Sequence, residues 1–282
     1  MQFVSYVRQG RPGFGVRTSG GIIDLASHLG VGTLRDALAA DLLELVAPIV
    51  EGRAAEFALS DVTLLPVIPD PGKVLCVGVN YETHRTETKR PEVDHPTIFT
   101  RFADTLIAHG APLIKPTLSD RFDFEGELAI IIGRGGRNIP ESAAMDHIAG
   151  YAPFMDGSVR DYQRHTSQFT PGKNFPGTGG FGPAMVTPDE IGDVSALPIE
   201  TRLNGEVVQS STLSHLIFSI PQVIAYVSAW TPLAPGDVIA TGTPGGVGER
   251  RDPPLFMKDG DVVEVVLGKA GTLRHPVVAE AQ

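Results

Sequence analysis

"RFDFEGELAIIIG", residues 121–133, sets two acids at the mouth of an aliphatic run. Residues i and i+2 of a strand share a face. Read as a strand, the stretch puts Glu125, Glu127, Ala129 and Ile131 on one face and Phe124, Leu128 and Ile130 on the other. Apolar side chains on both faces predict a strand buried on both sides, deep in a layered sheet. The two carboxylates then sit side by side in a partly dry place. Repulsion and desolvation raise their pKa values unless a positive group lies between them. A lone Glu-x-Glu also suits a solvated strand start, so the rest of the chain has to supply that positive group.

The surrounding chain has the material for a core. Of 282 residues, 42% are hydrophobic and 20% charged, and the net charge of −10 argues against nucleic acid or an anionic membrane as partner. One cysteine, Cys76 in "KVLCVGVN", rules out a disulfide framework or a Cys-rich zinc site, and its apolar setting predicts a buried structural thiol. No stretch reaches the roughly 18 apolar residues of a membrane span. The opening "MQFVSYVRQGRPGFG" lacks signal-peptide regions, so a cytoplasmic location is expected.

Glycine (32) and proline (23) cut the chain into short segments, which predicts a mostly β, α+β protein with many turns. Strands are expected in "KVLCVGVN", "PTIFTRF", "APLIKP", "LAIIIG", "DVIATGTP" and "DVVEVVLG", and Asn204-Gly205 marks a hairpin. Apolar spacing from Leu34 to Val46 predicts a helix. Residues 141–148 read as a short helix, and residues 213–229 as a longer one that Pro221 kinks or restarts. Pro66, Pro69 and Pro71 place a boundary near residue 70, giving a small N-terminal domain (1–70) and a larger one (71–282). Strands and helices do not alternate regularly, which argues against a Rossmann or barrel fold.

Several segments hold groups that do chemistry. In "YAPFMDGSVRDYQ", 151–163, Asp156 ends an apolar run and precedes Gly157, with Arg160 and Gln163 close behind. Three carboxylates, Glu125, Glu127 and Asp156, suit a hard cation such as Mg²⁺. In "NYETHRTE", 80–87, Asn80 is an acceptable helix N-cap, and His84 and Glu87 face one another three residues apart, as a base and its orienting carboxylate do. Lys173 lies in the loop-like "TPGKNFPGTGGFGP". Its formal G-x-G-x-x-G lacks the strand and helix of a dinucleotide site. "TGTPGGVG", 241–248, follows a strand and offers backbone N–H groups to a ligand carboxylate. No zinc spacing, nucleophile elbow or Walker sequence occurs.

In their order, "NYETHRTE", "FEGELAIIIG", "MDGSVRDYQ", "GKNF", "RLNGEVVQ" and "GDVIATGTPGGVG" resemble the fumarylacetoacetate hydrolase family over about residues 72–280. The resemblance implies a layered, rolled mixed β-sheet fold, usually dimeric, with a small N-terminal domain. It implies metal ligands at Glu125, Glu127 and Asp156, with Mg²⁺ usual and Mn²⁺ or Ca²⁺ alternatives. It implies a His84–Glu87 dyad on a mobile lid, a catalytic Lys173, and substrate contacts from Tyr81, Arg101, Arg160, Gln163, Gly242 and Thr243. The expected reaction is metal-dependent hydrolysis of a C–C bond in a β-diketo acid, of acylpyruvase or fumarylpyruvate type, as in aromatic catabolism. Decarboxylation of an oxaloacetate-like acid and enol–keto isomerisation or hydration are the alternatives on the same site. A non-catalytic metal-binding protein is the remote one. Two positions depart from the family pattern: Met155 stands where Asn is common, and Arg101 where Lys is often found.

Overall fold

The strand Gly126–Ile132 is the hub of the fold, and all seven of its residues are buried. The computed structural model describes residues 1–281. The hub strand pairs antiparallel with Ile148–Asp156 on one side and with Val238–Ala240 on the other. Val74–Gly78 then runs parallel to Val238–Ala240, and Thr97–Arg101 closes that edge. These strands belong to a mixed sheet of 12, faced by a second sheet of five. The fold, mostly β in mixed sheets with short helices, is of the class expected.

Strand parity sends neighbouring hub residues into different cores. Leu128, Ile130 and Ile132 pack with Val223, Ile224 and Val227 of the helix Ile220–Trp230. Ala129 and Ile131 join Phe154, Phe181 and Cys76 on the other face. Burial of each such aliphatic side chain contributes roughly 1.5–3 kcal/mol, and a one-residue slip would drive each set into the core shaped for the other. A third cluster, with Phe122, Phe124, Met155, Val263 and Val265, fills the space against the five-stranded sheet.

Residues 1–70 extend the same large sheet. The strand Gln2–Arg8 pairs with Met185–Val186, and Phe3, Phe14, Leu25 and Leu34 share a core cluster with Ala129 and Phe154. The Asn204-Gly205 hairpin forms, with both residues at positive φ and Leu203 facing Glu206.

The helices are shorter than their apolar spacing suggests. The expected helix from Leu34 runs only to Ala39, capped by the Thr33 side chain. It breaks at Asp41 (φ 55°) and resumes as a 3-10 turn and the helix Val46–Val50. Residues 213–229 are not one helix. A 3-10 turn, Leu213–His215, precedes a helix that starts at Ile220, with Ser219 and Gln222 forming a capping box. Pro221 sits in the first turn, where its missing N–H costs nothing. Residues 141–147 are 3-10, and Lys173 ends a short helix, Thr170–Lys173, instead of lying in a loop. Among the described residues no helix is long and apolar enough to cross a membrane.

Candidate active site

Three acids converge where the hub strand begins. Gly126 faces Met155 across the ladder, so Glu125 and Asp156 come opposite one another, and the Asp156 amide donates to the Glu125 carbonyl at 2.9 Å. Glu127 follows on the same face. One carboxylate oxygen from each of Glu125, Glu127 and Asp156 lies within 4.8 Å of the others, and all three residues are buried. Three hard oxygen donors at this spacing form a group able to hold a divalent metal ion.

Cationic side chains balance two of the three acids. Lys173 Nζ donates to Glu125 Oε2 at 2.6 Å and to Asp156 Oδ2 at 2.5 Å. Arg160 Nη1 donates to Glu125 Oε1 at 2.6 Å, and Arg101 Nη1 to Asp156 Oδ1 at 2.7 Å. Burial penalises the Glu125 charge, but Lys173 and Arg160 outweigh it and hold the carboxyl below its ordinary value. Burial also works against the Lys173 charge, and Asp156 and Glu125 overcome it, so the ammonium persists above its ordinary range. Glu127 differs: its hydrogen bond comes from the Gly242 amide, at 2.9 Å. Burial, then Asp156 and Glu125, push it well above the ordinary carboxylate value. A cation among the three carboxylates removes that penalty, so the donor set fits a metal ion both chemically and electrostatically.

A second group faces the same cleft. On the short helix Glu82–Glu87, His84 Nδ1 lies 2.6 Å from Glu87 Oε1, and Glu87 Oε2 accepts from the Gly246 amide at 2.8 Å. The 241–248 segment thus touches both centres, through Gly242 to Glu127 and through Gly246 to Glu87. The cleft has a volume of about 710 Å³, and its walls include His84, Glu125, Glu127, Arg160, Gln163, Lys173 and Thr243.

Of the other expected substrate contacts, Thr243 lines the cleft, whereas Tyr81, Arg101 and Gly242 are not among its walls. Arg101 is 2% exposed and sits behind Asp156, donating also to Gly157 O and Thr178 Oγ1. Tyr81 is buried and serves as the N-cap of the dyad helix, the position assigned from sequence to Asn80. Asn80 instead ties three strands of chain together: its Nδ2 donates to Phe218 O and Thr241 O, and its Oδ1 accepts from Phe218 N. Gly242 spends its N–H on Glu127, and the Thr243 hydroxyl donates to Gly126 O at 3.0 Å.

Two supporting residues escaped the sequence reading. Asp123 accepts from Arg160 Nε, Gly248 N and Glu249 N, and so fixes the guanidinium that reaches Glu125. Its signal was there, two residues before Glu125 in the same alternation. Gln209 lies inside the quoted "RLNGEVVQ", where hairpin parity alone gave no reason to single it out.

The family described as fumarylacetoacetate (FAA) hydrolase C-terminal matches residues 73–278. This chain belongs to the fumarylacetoacetate hydrolase family. A Xenopus laevis relative, named oxaloacetate tautomerase fahd2, mitochondrial, is 42% identical over 221 residues, covering 78% of this chain and 69% of that protein. Among solved structures, fumarylacetoacetate hydrolase from Exiguobacterium antarcticum is 33% identical with a TM-score of 0.87, covering 99% of this chain and 100% of that one. Maleylpyruvate hydrolase from Sphingobium sp. SYK-6, in complex with manganese(II) ion and pyruvate, is 26% identical with a TM-score of 0.83, covering 100% of both chains. Proteins similar to this chain are thus named as a tautomerase and as hydrolases, and one of the solved structures is described with manganese(II) bound.

Proposed function

We propose that this protein is a Mg²⁺- or Mn²⁺-dependent enol–keto tautomerase of a 2-oxo dicarboxylic acid of the oxaloacetate type. One observation carries the reading: His84 and the Lys173 ammonium line one cleft with Glu125 and Glu127, with Glu87 bonded to His84 and Asp156 to Lys173 behind them, so a base and a fixed positive charge border the place where a 2-oxo acid would sit. The similarity to a tautomerase at 42% identity, against 33% and 26% for two hydrolases, favours isomerisation over the C–C cleavage expected from the motifs.

A divalent ion held by Glu125, Glu127 and Asp156 supplies Lewis-acid polarisation of the 2-oxo and carboxylate oxygens. His84, oriented through Nδ1 by Glu87, takes a proton from the carbon beside the ketone; the C–H electrons form the C=C bond, the C=O π pair moves onto oxygen, and the imidazolium returns its proton to that oxygen to give the enol and neutral His84. Lys173 remains charged, so its role is to stabilise the negative charge that builds on the former ketone oxygen rather than to act as a base. Arg160 and Gln163 face the same cleft and suit a substrate carboxylate. Arg90, whose guanidinium lies 5.9 Å from the Phe169 ring centre, and Arg250 also line it and suit a second, distal anion.

C–C hydrolysis is the second reading, supported by the 2.6 Å His84–Glu87 contact, which equally orients an imidazole to activate water. The test is a panel of oxaloacetate, an acylpyruvate and fumarylpyruvate with added Mg²⁺. Accelerated enol loss from oxaloacetate without release of pyruvate or CO₂ supports tautomerisation. Cleavage of the acylpyruvate, with oxaloacetate enol decay at the uncatalysed rate, replaces it with the hydrolase.

A further inference from the structure

Gln209 stands on the strand Glu206–Thr212 of the five-stranded sheet, yet its side chain ends at the entrance of the hub strand in the other sheet. It is 2% exposed, and all its amide bonding capacity points at the metal-holding segment or its supports. Its Oε1 accepts from the Gly126 amide at 3.0 Å and from Thr201 Oγ1 at 2.7 Å. Its Nε2 donates to Thr243 Oγ1 at 2.8 Å and to Pro244 O at 2.8 Å. Thr243 Oγ1 in turn donates to Gly126 O at 3.0 Å.

These bonds close a ring around one residue and the two peptide groups that flank it. Gly126, the residue between Glu125 and Glu127, is held by its N–H through Gln209 and by its C=O through Thr243. The ring fixes the amide orientation, because a flipped Gln209 would aim its NH₂ at the Gly126 N–H. Space is as constrained as bonding: a Cβ on residue 126 would lie 2.1 Å from Thr201 Oγ1. The hairpin register shifts between Thr201 and Arg202, leaving Thr201 directly opposite Gln209 so that both reach the same glycine.

We propose that Gln209 is a positioning residue for the metal centre. It sets the angle and separation of Glu125 and Glu127 by fixing the glycine between them, directly at its N–H and through Thr243 at its C=O, and it anchors the 243–244 backbone next to the Gly242 amide that holds Glu127. The second sheet thereby governs the geometry of a site built on the first. The proposal rests on the three acids being a metal centre but not on which reaction that centre supports. Partners at this distance from a metal typically change affinity by about 10–100-fold.

The test uses Mn²⁺ alone, titrated calorimetrically into the full chain, with melting in EDTA measured alongside. Gln209→Met, close to Gln in shape but unable to hydrogen-bond, is expected to weaken Mn²⁺ binding by about 10–100-fold. Thr243→Val, which opens the ring from its other side and leaves Gln209 in place, is expected to weaken it in the same direction. The double variant should bind no worse than the weaker single one, since both break one ring. If Gln209→Met fails to fold, Thr243→Val decides. Wild-type Mn²⁺ affinity in a folded single variant, or fully additive losses in the double, overturns the proposal, and a melting change without an affinity change assigns Gln209 to stability alone and does the same. A wild-type chain that binds no Mn²⁺ removes the metal centre and this proposal together. A failure to turn over 2-oxo acids by a chain whose Mn²⁺ affinity responds as stated removes only the reaction.

Discussion

The amide of Asp156 donates to the carbonyl of Glu125 at 2.9 Å, so these two acids are fixed to each other through the main chain. They lie at paired ends of antiparallel strands, where facing Cβ atoms are about 4.5–5.5 Å apart. Their separation is therefore a property of the ladder and not of flexible side-chain reach. Glu127, two residues along, inherits the same face. A cation site built this way is pre-organised, and its cost is a cluster of like charges that Lys173, Arg101 and Arg160 only partly offset.

Asp156→Asn tests that arrangement. The substitution keeps shape but leaves Arg101 and Lys173, both buried, facing a neutral amide. Removing one partner of a buried ion pair costs about 3–5 kcal/mol. Melting should fall accordingly, and Mn²⁺ affinity should fall by more than the ~100-fold expected for an outlying partner. Calorimetry and thermal denaturation on the same preparation check both. A variant that binds Mn²⁺ as tightly as wild type would remove Asp156 from the ligand set.

The dyad should separate chemistry from metal binding. His84→Ala is expected to lower kcat by about 10²–10⁴-fold while Mn²⁺ affinity stays within a few fold. Glu87→Gln should have the smaller effect, because the amide still faces Nδ1 but no longer favours its protonated form. Equal kcat in His84→Ala and wild type would exclude His84 as the proton carrier.

Acid stability has a separate origin, in His275. Its Nδ1 lies 2.7 Å from Ala111 O, its Nε2 is buried without a partner, and burial, the dominant cause, lowers its pKa from 6.5 to about 4. The folded state therefore holds the neutral imidazole, while the unfolded chain takes up a proton below 6.5. The resulting stability is complete above pH 6.5 and is lost as pH falls from there toward about 4. The loss amounts to roughly 3 kcal/mol at about 1.4 kcal/mol per pH unit. His275→Gln should show a shallower fall in melting temperature over that window, whatever its stability at neutral pH. An unchanged slope would place the acid sensitivity elsewhere.

How much of this was legible depended on the range of the interaction. The hub strand and its acids were readable because parity is local: Glu125, Glu127, Ala129 and Ile131 share a face by chain geometry alone. The His84–Glu87 pair was readable for the same reason at helical spacing. Helix lengths were not, since Asp41 in the left-handed region breaks one helix and the Ser219 cap starts another well inside the stretch whose apolar spacing suggests it. Asn80 looked like a cap because caps are common, but its partners, Phe218 and Thr241, lie far along the chain. Gln209 had no local signature at all, because its meaning comes from a glycine in another sheet.

Arg101 shows how a position can be placed near substrate by pattern and behind the Asp156 carboxylate by structure. Its guanidinium spans Asp156 Oδ1, Gly157 O and Thr178 Oγ1, three acceptors in fixed directions. A lysine presents one point charge and cannot meet all three at once. Arg101→Lys should therefore keep the charge opposite Asp156 but abandon one or two buried acceptors, at about 1–3 kcal/mol each. Metal affinity should drop by about tenfold as Asp156 loses its fixed orientation. The ratio of kcat/KM between a short and a long 2-oxo diacid should not change, because residue 101 does not line the cleft. Steady-state kinetics on two such substrates, with metal affinity measured separately, decides the matter. A shifted ratio at unchanged metal affinity would return Arg101 to the substrate side and overturn its assignment as the support of Asp156.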